Sequence, residues 1–282
     1  MPYVNTKQML LDAQQGGYAV GAFNVENLEM AMAVIRAATE LQAPVILQTT
    51  PSTLKYAPPE AFAAIVRALA EKAPVPVAMH LDHGSSSELA FRCLEAGYSS
   101  VMIDGSMLPF EDNITVTKKV VKDAQKRGLP VEAELGKVGG KEDDLEADAD
   151  ANTDPQQAVE FAARTGADSL AVGIGTAHGF YEGTPVLDKD RLAEIRKIVS
   201  IPLVLHGASG LSDQDVKDCI ARGICKVNFA TELRAAYTKA VREVLAADPK
   251  LYDPKKFGGP AMAKTAALVA EKIRMCGADG KA

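Results

Sequence analysis

Three of the chain's four histidines close short apolar runs, each directly before a glycine: His83 with Gly84, His178 with Gly179 and His206 with Gly207. Three neutral imidazoles that leave one position open are the ligand set of a catalytic zinc ion. The fourth, His80, lies inside its run two residues before Asp82 and reads as a hydrogen-bonded core residue rather than a ligand. Asp82 directly precedes His83. It could orient that ring or act as an acid/base beside a Lewis acid, and the residues leave both roles open. Neighbours in a regular strand point to opposite faces, so Asp82 and His83 share one mouth only where the strand is turning, a turn that Gly84 would permit.

Small and polar residues recur close to these histidines. Gly179, the run Gly207-Ala208-Ser209-Gly210 and the run Asn228-Phe229-Ala230-Thr231 offer backbone amides and the hydroxyls of Ser209 and Thr231. Such a set could cradle a phosphate. Ordinary tight turns would use the same residue types. A further stretch, Gly136 to Asp144, opens with glycines and runs on into the acidic Glu146 to Asp154. It reads either as a solvated acidic loop or as a mobile lid that carries Glu142 as a base.

The elements that must position these groups alternate regularly. Candidate strands are Tyr18 to Asn24, Pro44 to Thr49, Pro76 to Asp82, Ser100 to Asp104, Pro130 to Leu135, Ser169 to Ile174, Pro202 to His206 and Cys225 to Phe229. Most are continuous apolar runs, as parallel strands buried on both faces require. Helical spacing marks Asn27 to Leu41, Pro59 to Lys72, Ser86 to Ala96, Asp112 to Arg127, Asp154 to Arg164, Asp188 to Val199 and Ser212 to Arg222. Several of these open on a capping residue or an early proline, as in Thr153-Asp154-Pro155. Eight βα units close most economically into a (β/α)8 barrel, here one domain over residues 1–282, with additional helices at Thr6 to Gln14 and Gly259 to Cys276. Chemistry in such a barrel belongs at the C-terminal strand ends. Those ends carry Asn24, Thr49, Asp82, His83, Asp104, Glu134, His178, His206 and Asn228, a recurrence that a purely structural barrel has no reason to show.

Composition narrows the partners. A formal net charge of −6 argues against nucleic acid or an anionic membrane surface, so any bound anion must be held locally. The start of the chain lacks a signal-peptide pattern and no apolar run is long enough to span a bilayer, which reads as cytoplasmic. The four cysteines have no paired spacing and are expected as free, packed thiols.

Five motifs in order carry a family resemblance: His80-Leu81-Asp82-His83, Val131-Glu132-Ala133-Glu134-Leu135-Gly136, Gly139-Gly140-Lys141-Glu142-Asp143-Asp144, Gly175-Thr176-Ala177-His178-Gly179 and His206-Gly207-Ala208-Ser209-Gly210. They run the length of the chain and resemble the class II, metal-dependent ketose-bisphosphate aldolases. The Thr-Ala-His-Gly and His-Gly-Ala-Ser-Gly versions, with Asn228-Phe229-Ala230-Thr231, look closest to the tagatose-bisphosphate branch, whereas His83-Gly84-Ser85-Ser86 resembles fructose-bisphosphate enzymes. The resemblance implies one zinc ion held by His83, His178 and His206, with Glu134 and Asp104 nearby, that polarises the ketose carbonyl. Cleavage of C3–C4 would leave an ene-diolate of dihydroxyacetone phosphate whose charge the ion stabilises. It also implies that Asp82 exchanges a proton with the C4 hydroxyl and Glu142 one with C3. The C1 phosphate would rest on Gly179, Gly207, Ala208, Ser209, Asn228, Phe229, Ala230 and Thr231, and Asn24 would contact substrate. Whether a monovalent cation assists is left open.

Two departures concern the far end of the substrate. Glu182 follows Tyr181 where fructose-bisphosphate relatives often have a lysine, and Tyr252-Asp253-Pro254-Lys255 carries Lys255 where relatives usually have an arginine. In those relatives the arginine reaches the C6 phosphate across a subunit interface, so the resemblance implies a homodimer or homotetramer. A lysine is a point charge without the bidentate fork of arginine. The expected product pair is dihydroxyacetone phosphate and glyceraldehyde 3-phosphate from a tagatose- or fructose-type 1,6-bisphosphate. The alternative is a sulfofructose 1-phosphate aldolase that yields dihydroxyacetone phosphate and sulfolactaldehyde. Rivals of other kinds are a Schiff-base aldolase using Lys226, a zinc hydrolase and a non-catalytic phosphosugar-binding barrel.

Overall fold

The computed structural model describes residues 2–142, 145–147, 152–181 and 183–282. Its strands in chain order are β1 (Val20–Asn24), β2 (Val45–Thr49), β3 (Val77–Gly84), β4 (Ser100–Ile103), β5 (Val131–Leu135), β6 (Gly139–Glu142), β7 (Leu145–Ala147), β8 (Ser169–Val172), β9 (Ala177–His178), β10 (Leu203–Leu205) and β11 (Ile224–Phe229). Eight of them close a barrel in the order β1-β11-β10-β8-β5-β4-β3-β2, and every pairing within it is parallel. These are the eight expected strands, shifted at their ends by one or two residues, and the fold is the expected (β/α)8 barrel. Each barrel strand is buried along its whole length because helices cover the outer face and side chains fill the inside.

The helices around the barrel start where local chemistry starts them. Asn27 caps Leu28–Glu40 through the Met30 amide, Ser86 caps Ser87–Ala96 through Leu89, and Asp154 caps Pro155–Thr165 through Gln157 with proline in the first turn. Three features of the helical layer were not expected. A short helix, Pro51–Tyr56, follows β2, and a long one, Thr231–Ala247, follows β11. The C-terminal helix begins at Pro254, five residues before the expected Gly259, and runs through Pro260 to Met275. The Gly258-Gly259-Pro260 run looks like a helix breaker, yet it lies within a helix that packs on Leu28–Glu40, and an ideal Cβ at Gly258 would meet Glu29 at an ordinary contact distance of 3.7 Å.

A second departure lies above the barrel. Gly139–Glu142 is a strand rather than a loop: β6 pairs antiparallel with β7 and parallel with β9, matching Gly140 with His178. Gly140 has φ +79°, and a Cβ there would come within 2.4 Å of the His178 carbonyl oxygen. Asp143 and Asp144, the end of the glycine-opened motif, and Glu182 lie outside the described residues. The four cysteines are free and buried, as expected. Among the described residues no helix is long and apolar enough to cross a membrane.

One turn differs from its expected cause. The residue with positive φ at the end of β3 is His83 itself, at φ +46°, and pairing with β4 shifts register between Leu81 and Gly84. Gly84 stays extended within the strand. It is needed for a different reason: a Cβ would sit 2.3 Å from the Met102 carbonyl oxygen. Gly84→Ala is therefore expected to destabilise the fold by about 1–3 kcal/mol, the usual range for overpacking a buried site. Urea unfolding measures it, and an unchanged midpoint would contradict the contact.

Candidate metal centre and active site

At the C-terminal rim the ends of β3 and β10 and the short β9 bring the three predicted histidines together. Their ligand atoms lie within 4.8 Å of one another, and the His83 ring meets those of His178 and His206 at centroid distances of 4.9 and 4.6 Å. Nitrogens bound to one tetrahedral ion at about 2.1 Å stand roughly 3.4 Å apart, so small side-chain shifts suffice to close the set. His83, Asp104 and Glu134 form a second overlapping group within the same limit.

The carboxylates around these rings have different partners. Asp104 Oδ2 lies 2.7 Å from His83 Nδ1, while its Oδ1 accepts from the Ser106 amide and hydroxyl at 3.0 and 2.7 Å. Burial pushes the Asp104 carboxyl up, but the His83 bond and charge and the two Ser106 bonds outweigh it and hold the group well below the usual carboxylate range. Asp104 thus orients the His83 ring from outside. Glu134 Oε2 stands 3.1 Å from His206 Nδ1 and 4.0 Å from His83 Nδ1. Both Glu134 Oε2 and His206 Nδ1 are buried and lack a hydrogen bond. Two buried polar atoms 3.1 Å apart need either a proton or a metal cation between them. The donor set therefore fits a divalent metal ion.

Beneath this layer lies a network that sequence reasoning missed. His206 Nε2 donates to Glu132 Oε1 at 3.0 Å, and Lys226 Nζ reaches both Glu132 oxygens at 3.1 and 2.9 Å. Burial alone would raise the Glu132 carboxyl, yet Lys226 and His206 hold it well below its ordinary range. Lys226, the residue a Schiff-base route would need, is fully buried in this pair. His80 is the expected core residue, bonded through Nδ1 to the Ser100 hydroxyl at 2.7 Å, with burial and then Lys226 holding it neutral. The signal for Glu132 was its spacing: two residues before Glu134 on one strand, it must share the inward face.

Asp82 is buried, and both its oxygens are taken by amides: Asn24 Nδ2 donates to Oδ2 and Asn228 Nδ2 to Oδ1, each at 2.9 Å. Gln48 Nε2 extends the chain to Asn24 Oδ1 at 2.8 Å. Asn24 and Asn228, expected at the substrate, thus hold the carboxylate, and Gln48 is a member that sequence reasoning omitted. His83 Nε2 lies 4.0 Å from Asp82 Oδ1.

Next to His178 is a recess lined by Gly179, Gly207, Ala208, Ser209, Asn228, Ala230 and Thr231. Seven of the eight expected phosphate residues line it. Phe229 does not, since its ring turns into the core and stacks on Phe23 at 5.5 Å. Gly207, at φ +64°, does more than turn the chain: a Cβ would lie 2.6 Å from the Ala177 carbonyl oxygen. Tyr181 joins the same two loops, accepting from the Ala177 amide at 2.9 Å and donating to the Gly207 carbonyl at 2.6 Å. Glu142 is placed only through its backbone, two residues beyond the Gly140–His178 match. Lys255 is not part of this cluster; its exposed ammonium pairs with Asp253 at 2.9 Å in the first turn of the C-terminal helix.

Polar side chains gathered at the carboxyl rim of a closed parallel barrel define a (β/α)8 enzyme. Residues 4–281 match the family model of class II fructose-bisphosphate aldolase, and the chain belongs to that family of carbon–carbon lyases. It is similar to the YdjI aldolase of Escherichia coli K12, with 40% identity, a TM-score of 0.89 and 99% of each chain covered. A Coccidioides immitis protein described as a candidate fructose-1,6-bisphosphate aldolase shares 31% identity at a TM-score of 0.90, covering 97% of this chain and 96% of that one. Fructose-bisphosphate aldolase of Campylobacter jejuni, at 22% identity and a TM-score of 0.84 over 99% and 97% of the two chains, shares the fold.

Proton release on metal binding tests the ligand arrangement. Burial and the neighbouring His83 push the His206 pKa down, but the Glu132 and Glu134 carboxylates outweigh them and lift it to about 9. A raised value means that His206 carries its proton below that pH and must lose it to bind a metal. Loading the metal-free protein with zinc at about pH 7.5 is expected to release about one proton, and the release should fade as pH rises past the His206 pKa. Calorimetry in buffers of different ionisation enthalpy measures it; no release at the lower pH would count against His206 as a ligand.

Proposed function

We propose that the chain, as one 1–282 catalytic domain, reversibly cleaves a tagatose- or fructose-type ketose 1,6-bisphosphate to dihydroxyacetone phosphate and glyceraldehyde 3-phosphate. The observation that carries the reading is a carboxylate held at both oxygens by amides, directly before His83 and close to the glycine-lined recess. His83, His178 and His206 would hold one zinc ion per subunit, with Glu134 and Asp104 next to it. When bound, that ion would polarise the ketone carbonyl and offset the charge left on the three-carbon phosphate fragment.

The chain's own residues do the rest. Asn24 and Asn228 donate to Asp82 and fix its direction, so its remaining lone pairs can take the C4 hydroxyl proton during cleavage and return it during condensation. Glu142 exchanges the C3 proton from the β6 hairpin, whose pairing with β9 ties it to His178. Gly179, Gly207, Ala208, Ser209, Asn228, Ala230 and Thr231 receive the C1 phosphate. Lys255 reaches the distal anion of a neighbouring subunit, which requires at least a homodimer, and a homotetramer meets the same need. Separate groups for the two protons suit a reaction in which they move at different carbons. The partner is thus a small phosphorylated sugar, handled in the cytoplasm without nucleic acid or membrane.

A second reading is favoured by Lys255 itself. A single ammonium matches a sulfonate as well as a phosphate because neither anion receives a bidentate fork. The substrate would then be 6-sulfofructose 1-phosphate and the second product sulfolactaldehyde.

Turnover of fructose 1,6-bisphosphate, tagatose 1,6-bisphosphate and 6-sulfofructose 1-phosphate by metal-loaded enzyme separates the two. Bisphosphate cleavage is the expected result, and rapid turnover of the sulfonate alone would replace the first reading by the second. Asp82→Asn is expected to lower kcat by about 10²- to 10⁴-fold while metal content stays at the wild-type level. Full activity in that variant would remove Asp82 from the chemistry.

A further inference from the structure

One carboxylate next in sequence to the lining of the phosphate recess, that of Glu232, would repel an anion held there. It follows Thr231, and its Oε1 accepts the amide of Gly210 at 3.0 Å, which ends the run that supplies Gly207, Ala208 and Ser209 to the recess. That bond holds the end of the loop where Gly210 adopts φ +91°. On the other side of Glu232 is Lys272 from the C-terminal helix, only 8% exposed. Its ammonium lies 2.5 Å from Glu232 Oε2 and 5.4 Å above the ring of Phe229. Burying a lysine costs free energy unless its charge is matched. The match here is a carboxylate already committed to the loop.

We propose that Lys272 is a positioning residue for phosphate binding: it cancels the charge of Glu232 so that this side chain can fix the 207–210 loop without repelling the anion the loop receives. The proposal rests on reading the recess as the phosphate site. It gives the C-terminal helix, which lines no part of the recess, a part in binding the anion there.

The charge logic makes single and double substitutions behave differently. Lys272→Met leaves an uncompensated carboxylate beside the recess and is expected to weaken binding of inorganic phosphate about tenfold. Glu232→Gln/Lys272→Met removes both charges while the amide oxygen can still accept from Gly210, and is expected to recover binding to within about threefold of wild type. Lys272→Arg keeps the charge and should bind as wild type does.

Isothermal calorimetry of the metal-loaded full chain with inorganic phosphate reads these effects whether or not any ketose is cleaved, so it stands apart from the substrate panel. With a substrate in hand, Lys272→Met should raise KM by a similar factor and leave kcat within about twofold, whereas general loosening of the site would lower both. A tight Lys272→Met variant, or a double variant no better than the single one, overturns the proposal. If Lys272→Met fails to fold, Glu232→Gln alone decides: with the lysine charge left near the recess it should bind phosphate at least as tightly as wild type, and weaker binding overturns the proposal.

Discussion

A strand shows neighbouring side chains to opposite faces, yet Asp82 and His83 both meet the mouth of the barrel because His83 takes a left-handed conformation at φ +46°. A non-glycine residue there costs about 1 kcal/mol or more. The surroundings repay it in several places. Asp104 bonds the ring, Gly84 lets the strand press against the Met102 carbonyl, and β4 accepts the shifted register. Without that backbone kink, either the Asp82 carboxylate or the His83 imidazole would face the outer helices.

Around this kink the barrel interior accommodates many like charges. Glu132, Glu134, Asp104 and Asp82 are each buried or nearly so, and each is stabilised differently. Glu132 has the full charge of Lys226, Asp104 has an imidazole and two Ser106 donors, and Asp82 has two carboxamides. Amide donors hold a carboxylate without bringing a competing cation, and each Asp82 oxygen accepts one of them. Glu134 faces His206 at 3.1 Å, where either a proton or a metal cation can sit between the two atoms.

The barrel and the histidine set were legible in sequence because both depend on local pattern: apolar runs mark buried parallel strands, and His-Gly pairs mark their ends. Glu132 and Gln48 were hidden because inward-facing polar residues within a strand look like interruptions of an apolar run, and their partners, Lys226 and Asn24, lie far away in sequence. The hairpin of Gly139–Glu142 was hidden for a similar reason, since β9 has only two residues and no strand signature of its own. Gly84 was given the wrong task, because sequence can say that a side chain is forbidden without saying whether torsion or crowding forbids it. At the C-terminal helix, Gly258-Gly259-Pro260 carries the composition of a break, and only packing against Leu28–Glu40 shows why a helix runs through it.

The Tyr181 hydroxyl ties the backbone after β8 to the backbone after β10, and Gly207 presses on Ala177 at the same junction. Two loops that each carry a histidine are therefore one inheritable module. Exchanging one of these βα units for that of a related barrel would keep the junction only where the incoming unit supplies the tyrosine or the glycine that the other half meets.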